Sequence, residues 1–322
     1  MFYWLHPGYL NVSRSQQNRT PMTLSPHATD VVLMVPVIDV NWLVYAPFDP
    51  GRDFRVDPPN VPQSIGDTRE VLRILREFTG GKCILTPHSG TYCRTGYYEG
   101  EMLDVYCEAV QGGGELAVHL HEEIKGKGTR YTERDHVGAV FEDCRRRLLA
   151  AGIKPVAYRG GHYAYTPFMN ELLPSADIHI DLSCSPGLNQ PTREAIWVQS
   201  PCTGYYLPDN PRLAADGQNI SSVFEIPIGC DGEGSAYRNI LHIEQSEIDN
   251  LQRILAVLVG RAKRDGRRQI VHCLFHTGSV GRLEWVERFR RFLGHVPENG
   301  GTFVTATEAK AAYDAEVKDI AA

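Results

Sequence analysis

From Asp30 onward, short β-rich runs alternate with amphipathic helical stretches, and this alternation restricts the chain to one class of fold. The first run, Val31-Val32-Leu33-Met34-Val35-Pro36-Val37-Ile38, is apolar without interruption. A strand with one wet face alternates apolar and polar residues, whereas an unbroken run marks a parallel strand covered on both faces. Further strands are expected at 83–86, 115–119, 155–158, 178–181, 223–228, 269–275 and 301–305. Helices fill the intervals. One is capped by Asp67, carries Val71, Leu72, Ile74, Leu75 and Phe78, and stops at Gly80-Gly81. Others are expected over 98–110, 133–150, 165–173, 244–264 and 283–293, with a closing helix from Thr307. The stretch 183–222 has no periodicity and reads as loop, as does 47–66. Seven or eight β–α units without a linker predict one α/β domain over 30–322, a (β/α)7-8 barrel. A doubly wound open sheet is the alternative. No Gly-rich phosphate fingerprint follows the first strand, which weakens its nucleotide-binding version.

The 322 residues carry a formal net charge of −6 and are 42% hydrophobic, the balance of an ordinary soluble globular protein. Mild acidity argues against a nucleic-acid surface, which needs a concentrated basic stripe. The short basic clusters at 145–147 and 261–268 fit solvated helix faces. Eight cysteines are scattered without a C-x-x-C pair, mostly in apolar runs, which fits buried thiols in a reducing compartment. Residues 1–29 are expected to form a polar N-terminal arm or leader, with Met22 as an alternative start. They contain no secretory pattern, and no apolar run reaches the roughly 18 residues of a membrane span. A cytoplasmic location is therefore expected; the oligomeric state is left open.

In a parallel barrel, chemistry gathers at the C-terminal ends of the strands. Those ends carry Asp39 and Asn41, His88, His119 and His121 followed by Glu122 and Glu123, Arg159 and His162, Asp181 and Ser183, and His276. His119 and His121 lie two apart on a strand and so share a face. Two imidazoles with a carboxylate from Asp39 or Glu123 form a set that zinc takes in hydrolytic sites. A metal there deprotonates water near neutral pH. The competing reading makes one histidine a ligand and the other a packed rim residue. Arg159 can orient a carboxylate or form an ordinary barrel salt bridge. Gly160-Gly161 suggests close backbone approach or positive φ. His276 can protonate a leaving amine or alcohol, while His272, deeper on the same face, reads as a core histidine. Asp181 either holds the catalytic histidine or arginine in place or caps its strand.

By order and motif, residues 30–310 resemble the NodB-homology polysaccharide deacetylase family, as a divergent member. Val37-Ile38-Asp39-Val40-Asn41 matches a motif that carries two consecutive aspartates in the family, of which one is present here. Glu115 to Glu123 matches the second motif: His119 takes the first histidine position, and Glu123 falls where the second stands. Tyr158-Arg159-Gly160-Gly161-His162-Tyr163, Asp181-Leu182-Ser183 and Cys273-Leu274-Phe275-His276-Thr277 resemble the remaining three. The resemblance implies a distorted barrel with zinc held by an aspartate and two histidines, an aspartate base and a histidine acid. Carried over, His119 is a ligand, His276 the acid, and Asp39 the base or a ligand. His121 and Glu123 compete for the third ligand position. The implied activity is metal-dependent N- or O-deacylation of an acylated carbohydrate, such as a precursor of a surface polysaccharide, with Zn2+ as the expected metal. A non-catalytic carbohydrate-binding barrel and a glycosidase using Asp39 and Asp181 as paired carboxylates are the rivals.

Overall fold

The computed structural model describes residues 31–42, 59–90, 94–124, 128–212, 220–233 and 239–321. The arm expected over 1–29 and most of the loop expected over 47–66 lie outside them. The chain runs β1 (Val32–Val40), α1 (Val61–Thr79), β2 (Ile84–Pro87), α2 (Arg94–Tyr97), α3 (Glu101–Gln111), β3 (Glu115–Leu120), then a small hairpin of β4 (Glu123–Ile124) and β5 (Gly128–Thr129). It continues with α4 (Arg134–Ala150), β6 (Ala157–Gly160), α5 (Met169–Ser175), β7 (Ile180–Asp181), β8 (Asn189–Gln190), β9 (Ala195–Ile196), β10 (Tyr205–Pro208) and β11 (Ile220–Glu225). It ends with α6 (Ile248–Asp265), β12 (Gln269–His276), α7 (Leu283–Glu298), β13 (Gly301–Phe303) and α8 (Ala306–Ala321).

Seven parallel strands run in the order β12-β1-β2-β3-β6-β7-β11. The circuit closes where the chain beyond β11 returns to β12. There Ile228 pairs in parallel with His272, His272 N–H donates to the Pro227 carbonyl at 2.9 Å, and Gly229 N–H donates to the His272 carbonyl at 2.8 Å. The sheet is thus the expected distorted α/β barrel. Every residue of β1 is buried, as its unbroken apolar run requires. Helices seal the outside: α6 buries Leu251, Ile254, Leu255 and Leu258, and α7 stacks Phe289 on Phe275 of β12 at 4.3 Å between ring centroids. Each such side chain contributes roughly 1.5–3 kcal/mol on leaving water. All seven described cysteines are free thiols.

Three sequence expectations are corrected. The first helix begins six residues before Asp67, because Asn60-Val61-Pro62 supplies a better start: the Asn60 side chain accepts from Gln63 N–H at 3.3 Å, and proline suits the first turn. The helix expected over 98–110 begins only at Glu101, because Gly100 before it has φ of 61 and ψ of −147, which belong to no helix; the short α2 ends before it, at Tyr97. The stretch over 183–222 is not all loop. It holds the hairpin β8–β9 and strand β10, which pairs antiparallel with β11 outside the barrel circuit. Trp197 is buried there, and its indole N–H donates to the Tyr163 carbonyl at 2.7 Å, clamping the excursion against the rim.

Asn60→Ala is expected to cost about 1 kcal/mol of stability, read as a lower melting temperature. Asp67→Asn is expected to cost nothing, since burial already pushes that carboxyl up to about 6. The reverse ranking would return the helix start to Asp67.

Candidate active site at the barrel rim

Strand register brings the site together. Asp39 of β1 is level with His276 of β12 on one side and Thr86 of β2 on the other; His119 of β3 is level with Arg159 of β6 and bridges to His88. Thr277 fastens the ends of β1 and β12, accepting from Asn41 N–H at 3.1 Å and donating to its carbonyl at 2.8 Å.

Asp39 is the centre. One carboxylate oxygen accepts from Arg159 Nε at 3.0 Å and from the Thr86 hydroxyl, and the other lies 3.3 Å from His276 Nε2. Burial opposes the charge, but Arg159, His119 and His276 outweigh it and hold the carboxyl well below the usual range. Arg159 is fixed in turn by the Leu182 carbonyl, 2.7 Å from Nη1, and by the Tyr163 ring beneath it.

His276 stands between two carboxylates. Its Nδ1 is 3.1 Å from Glu244 Oε1, an oxygen that also accepts from the His276 backbone N–H at 2.7 Å and the Ser279 hydroxyl at 2.9 Å. Burial lowers the imidazole's pKa, but Glu244 and Asp39 together raise it to about 9. Both ring nitrogens are then donors. His242 approaches the other Glu244 oxygen at 3.1 Å. His242, Glu244 and His276 are close enough to bracket a cation; with His276 protonated, the same group places an imidazolium between Glu244 and Asp39.

The opposite side of Asp39 is a cluster of imidazoles. His119 Nδ1 donates to the Thr86 carbonyl at 3.0 Å, which leaves the lone pair on Nε2; that atom is buried without a hydrogen-bond partner. Burial brings His119 down to about 4, and burial with neighbouring His119 and His162 brings His121 well below its usual value. His121 Nδ1 lies 3.0 Å from Glu123 Oε2, while Glu123 Oε1 takes the Tyr131 hydroxyl at 2.9 Å and lies 3.3 Å from His162 Nε2. His88 stacks on His121 at 4.1 Å. One ligand atom each from His121, Glu123 and His162 lie within 4.8 Å of one another, and two imidazoles with a carboxylate are a zinc-type donor set. These residues fit a divalent metal. His121 and Glu123, which compete in the sequence reading, stand on the same group, and His162 joins them.

His162 reaches the cluster through backbone strain. His162 and Tyr163 have φ of 53 and 65, conformations that cost about 1–3 kcal/mol each in non-glycine residues. The preceding glycines serve close approach: a Cβ on Gly161 would sit 2.6 Å from His121 Cγ and the Tyr131 hydroxyl, and one on Gly160 1.7 Å from the Ala164 carbonyl oxygen.

Asp181 is placed differently from the expectation. One of its oxygens accepts from the Ser183 hydroxyl at 2.6 Å, and it faces its register partner Glu225, whose Oε1 accepts from Cys184 N–H at 3.0 Å. Both carboxyls are fully buried and both pKa values are raised, Glu225 by burial and then by Asp181; the pair shares a proton. The task of holding the histidine and arginine falls to Glu244, Asp39 and the Leu182 carbonyl. Glu244 is a site residue that the sequence does not single out, since the helix expected over 244–264 takes it in. The helix begins at Ile248, and Ile240-Leu241-His242-Ile243-Glu244 alternates as an extended segment does. Its His-x-Glu spacing repeats that of His121-Glu122-Glu123, and is the signal that could have found it.

No protein-family model matches the chain, and no curated protein matches it. Solved structures do. A polysaccharide deacetylase structure from Mycobacterium smegmatis superposes with a TM-score of 0.54 at 14% identity, covering 93% of this chain and 96% of that one. One from Pseudomonas aeruginosa PAO1 gives 0.53 at 12%, covering 87% and 90%. An allantoinase gives 0.58 at 13%, covering 94% and 98%. The chain has the NodB-type deacetylase barrel fold. At these identities the likeness is one of fold, and the deacetylase barrel's chemistry here has to be argued from the rim residues.

Glu225 carries a raised folded-state pKa, so its contribution is favourable below its unfolded value and is lost as pH rises toward the folded one. Glu225→Gln keeps the shape, donates to Asp181 and removes that loss. The melting temperature of the variant should exceed wild type at about pH 8 and approach it at about pH 4. A gain of equal size at both values would contradict the shared proton.

Proposed function

We propose that the protein is a hydrolase that removes an acyl group from a carbohydrate, with Asp39 as general base and His276 as general acid. The observation that carries this reading is the pairing of a carboxylate held ionised with an imidazole held protonated, 3.3 Å apart at the rim. Acyl transfer to water needs both: one group to take a proton from water and another to give one to the departing nitrogen or oxygen. Arg159 keeps Asp39 ionised and aimed. Glu244 keeps His276 protonated and fixes its ring. After one turnover Asp39 holds a proton and His276 lacks one, and their direct contact lets the proton return without an outside carrier. The carbohydrate substrate class rests on the fold shared with the two polysaccharide deacetylases. A nucleotide sugar or lipid-linked precursor of a surface polysaccharide is the form in which we expect it.

His121, Glu123 and His162 are the residues that would hold a divalent metal, zinc first, with His119 Nε2 beside them. Bound there, the metal supplies Lewis-acid polarisation of the acyl carbonyl. Asp39 is better suited to the base than to a ligand role, since Arg159, Thr86 and His276 already engage both its oxygens.

Acetate release from N- and O-acetylated sugars and glycans is the test. Asp39→Asn and His276→Ala should each lower kcat/KM by about 10²–10⁴-fold. Chelation, checked by metal analysis, should lower the rate and be reversed by zinc. Turnover of allantoin with no acylated sugar hydrolysed would overturn the substrate class. Full activity without stoichiometric metal would overturn the ligand assignment.

A further inference from the structure

Away from the rim, Cys202 and Cys230 meet on the outside of the closing strand. Cys202 precedes Thr203 and Gly204, both tied to β12: the Thr203 hydroxyl accepts from Ile270 N–H and Gly204 N–H donates to the Ile270 carbonyl, each at 2.8 Å. Cys230 follows Gly229, tied to the next part of β12 through the His272 carbonyl. The two segments therefore run side by side against one strand, with the Cys202 sulfur against the turn that follows Cys230, 3.7 Å from the Cβ position of Gly232, and near enough to the Cys230 thiol to interact with it. Cys230 is buried and Cys202 half-buried, so the pair has one face toward solvent. Next to them, Arg261 donates to the Asp231 carbonyl at 3.0 Å, and its guanidinium lies 3.1 Å from the Cβ position of Gly232, which is itself 3.7 Å from the Cys202 sulfur. Arg261 acts on Cys230, where a nearby guanidinium favours the thiolate, the reactive form. Cys202 is the more exposed of the two, so it is the thiol that a small disulfide can reach and the nucleophile of the pair.

We infer that Cys202 and Cys230 form a reversible disulfide by exchange with small-molecule disulfides. The Cys202 thiolate attacks one sulfur of the disulfide, forming a mixed disulfide and releasing one small thiolate. Cys230 loses its proton to solvent and attacks the Cys202 sulfur, closing the protein disulfide and releasing the second small thiolate. The cysteine pair is oxidised by two electrons and the small disulfide is reduced to two thiols. The new bond staples the excursion that carries β8, β9 and β10 to the segment leading from Gly229 toward His242 and Glu244. The two anchors on β12 hold both segments in place on either side of the new bond.

The full-length protein is equilibrated with oxidised glutathione and mapped by non-reducing peptide mass spectrometry. The expected result is one cross-linked peptide joining Cys202 to Cys230, reversed by dithiothreitol, with a higher melting temperature in the oxidised form. Cys202→Ser and Cys230→Ala should each abolish the cross-link, while Cys107→Ser, at the other half-buried described thiol, should leave it intact. Glutathione retained on Cys202 without an internal cross-link, or a cross-link to any other cysteine, would overturn the inference. Because the readout is covalent, it does not depend on which substrate the rim takes.

Discussion

One buried negative charge organises the rim. Asp39 has almost no contact with water, and an isolated carboxylate there would take up a proton rather than stay charged. It stays ionised because Arg159 and His276 stand on either side of it. Each of those cations depends on its own acceptor: the Leu182 carbonyl for Arg159, and Glu244 for His276. The charges therefore alternate along Glu244–His276–Asp39–Arg159, and removing any member leaves a neighbour buried and uncompensated. Such losses cost more than a surface ion pair of the same length. The same alternation separates an acid from a base within one contact, the arrangement that hydrolysis of an acyl bond uses.

Much of the fold was legible because its pattern is periodic. The unbroken run in β1 reports burial on both faces, and the β–α alternation reports a parallel sheet. The rim residues Asp39, His119, Arg159 and His276 were legible for a related reason: once the strands are known, their C-terminal ends are known. What was not legible is pairing across the barrel. Nothing local to Asp181 says that its partner is Glu225 rather than His276, because that contact depends on the register of β7 with β11. Glu244 was hidden by a boundary error of four residues at the start of α6. Helix starts are poorly marked when the cap has no side-chain bond, and Glu247 makes none here.

The imidazole cluster shows the limit of spacing arguments. Matching the chain to the family's second motif made His121 and Glu123 look like rivals for one position. The hairpin β4–β5 turns Glu123 back so that its carboxylate meets His121, and the strained turn at His162-Tyr163 delivers a second imidazole to the same carboxylate. Gly160 and Gly161 make room for that turn, and Trp197, from the excursion that looked structureless, holds its carbonyl. Strain of this kind persists where surrounding contacts over-determine it, and it concentrates at functional sites.

The central claim is that His276 is an imidazolium at neutral pH because Glu244 and Asp39 flank it. Its titration, followed by NMR of ring-labelled histidine in the full-length protein, tests this most directly. One imidazole is expected to stay protonated through neutral pH and titrate near 9, assigned by its absence in His276→Ala and moved down in Glu244→Gln. A His276 ring that titrates at or below the ordinary histidine value of about 6.5 would contradict it.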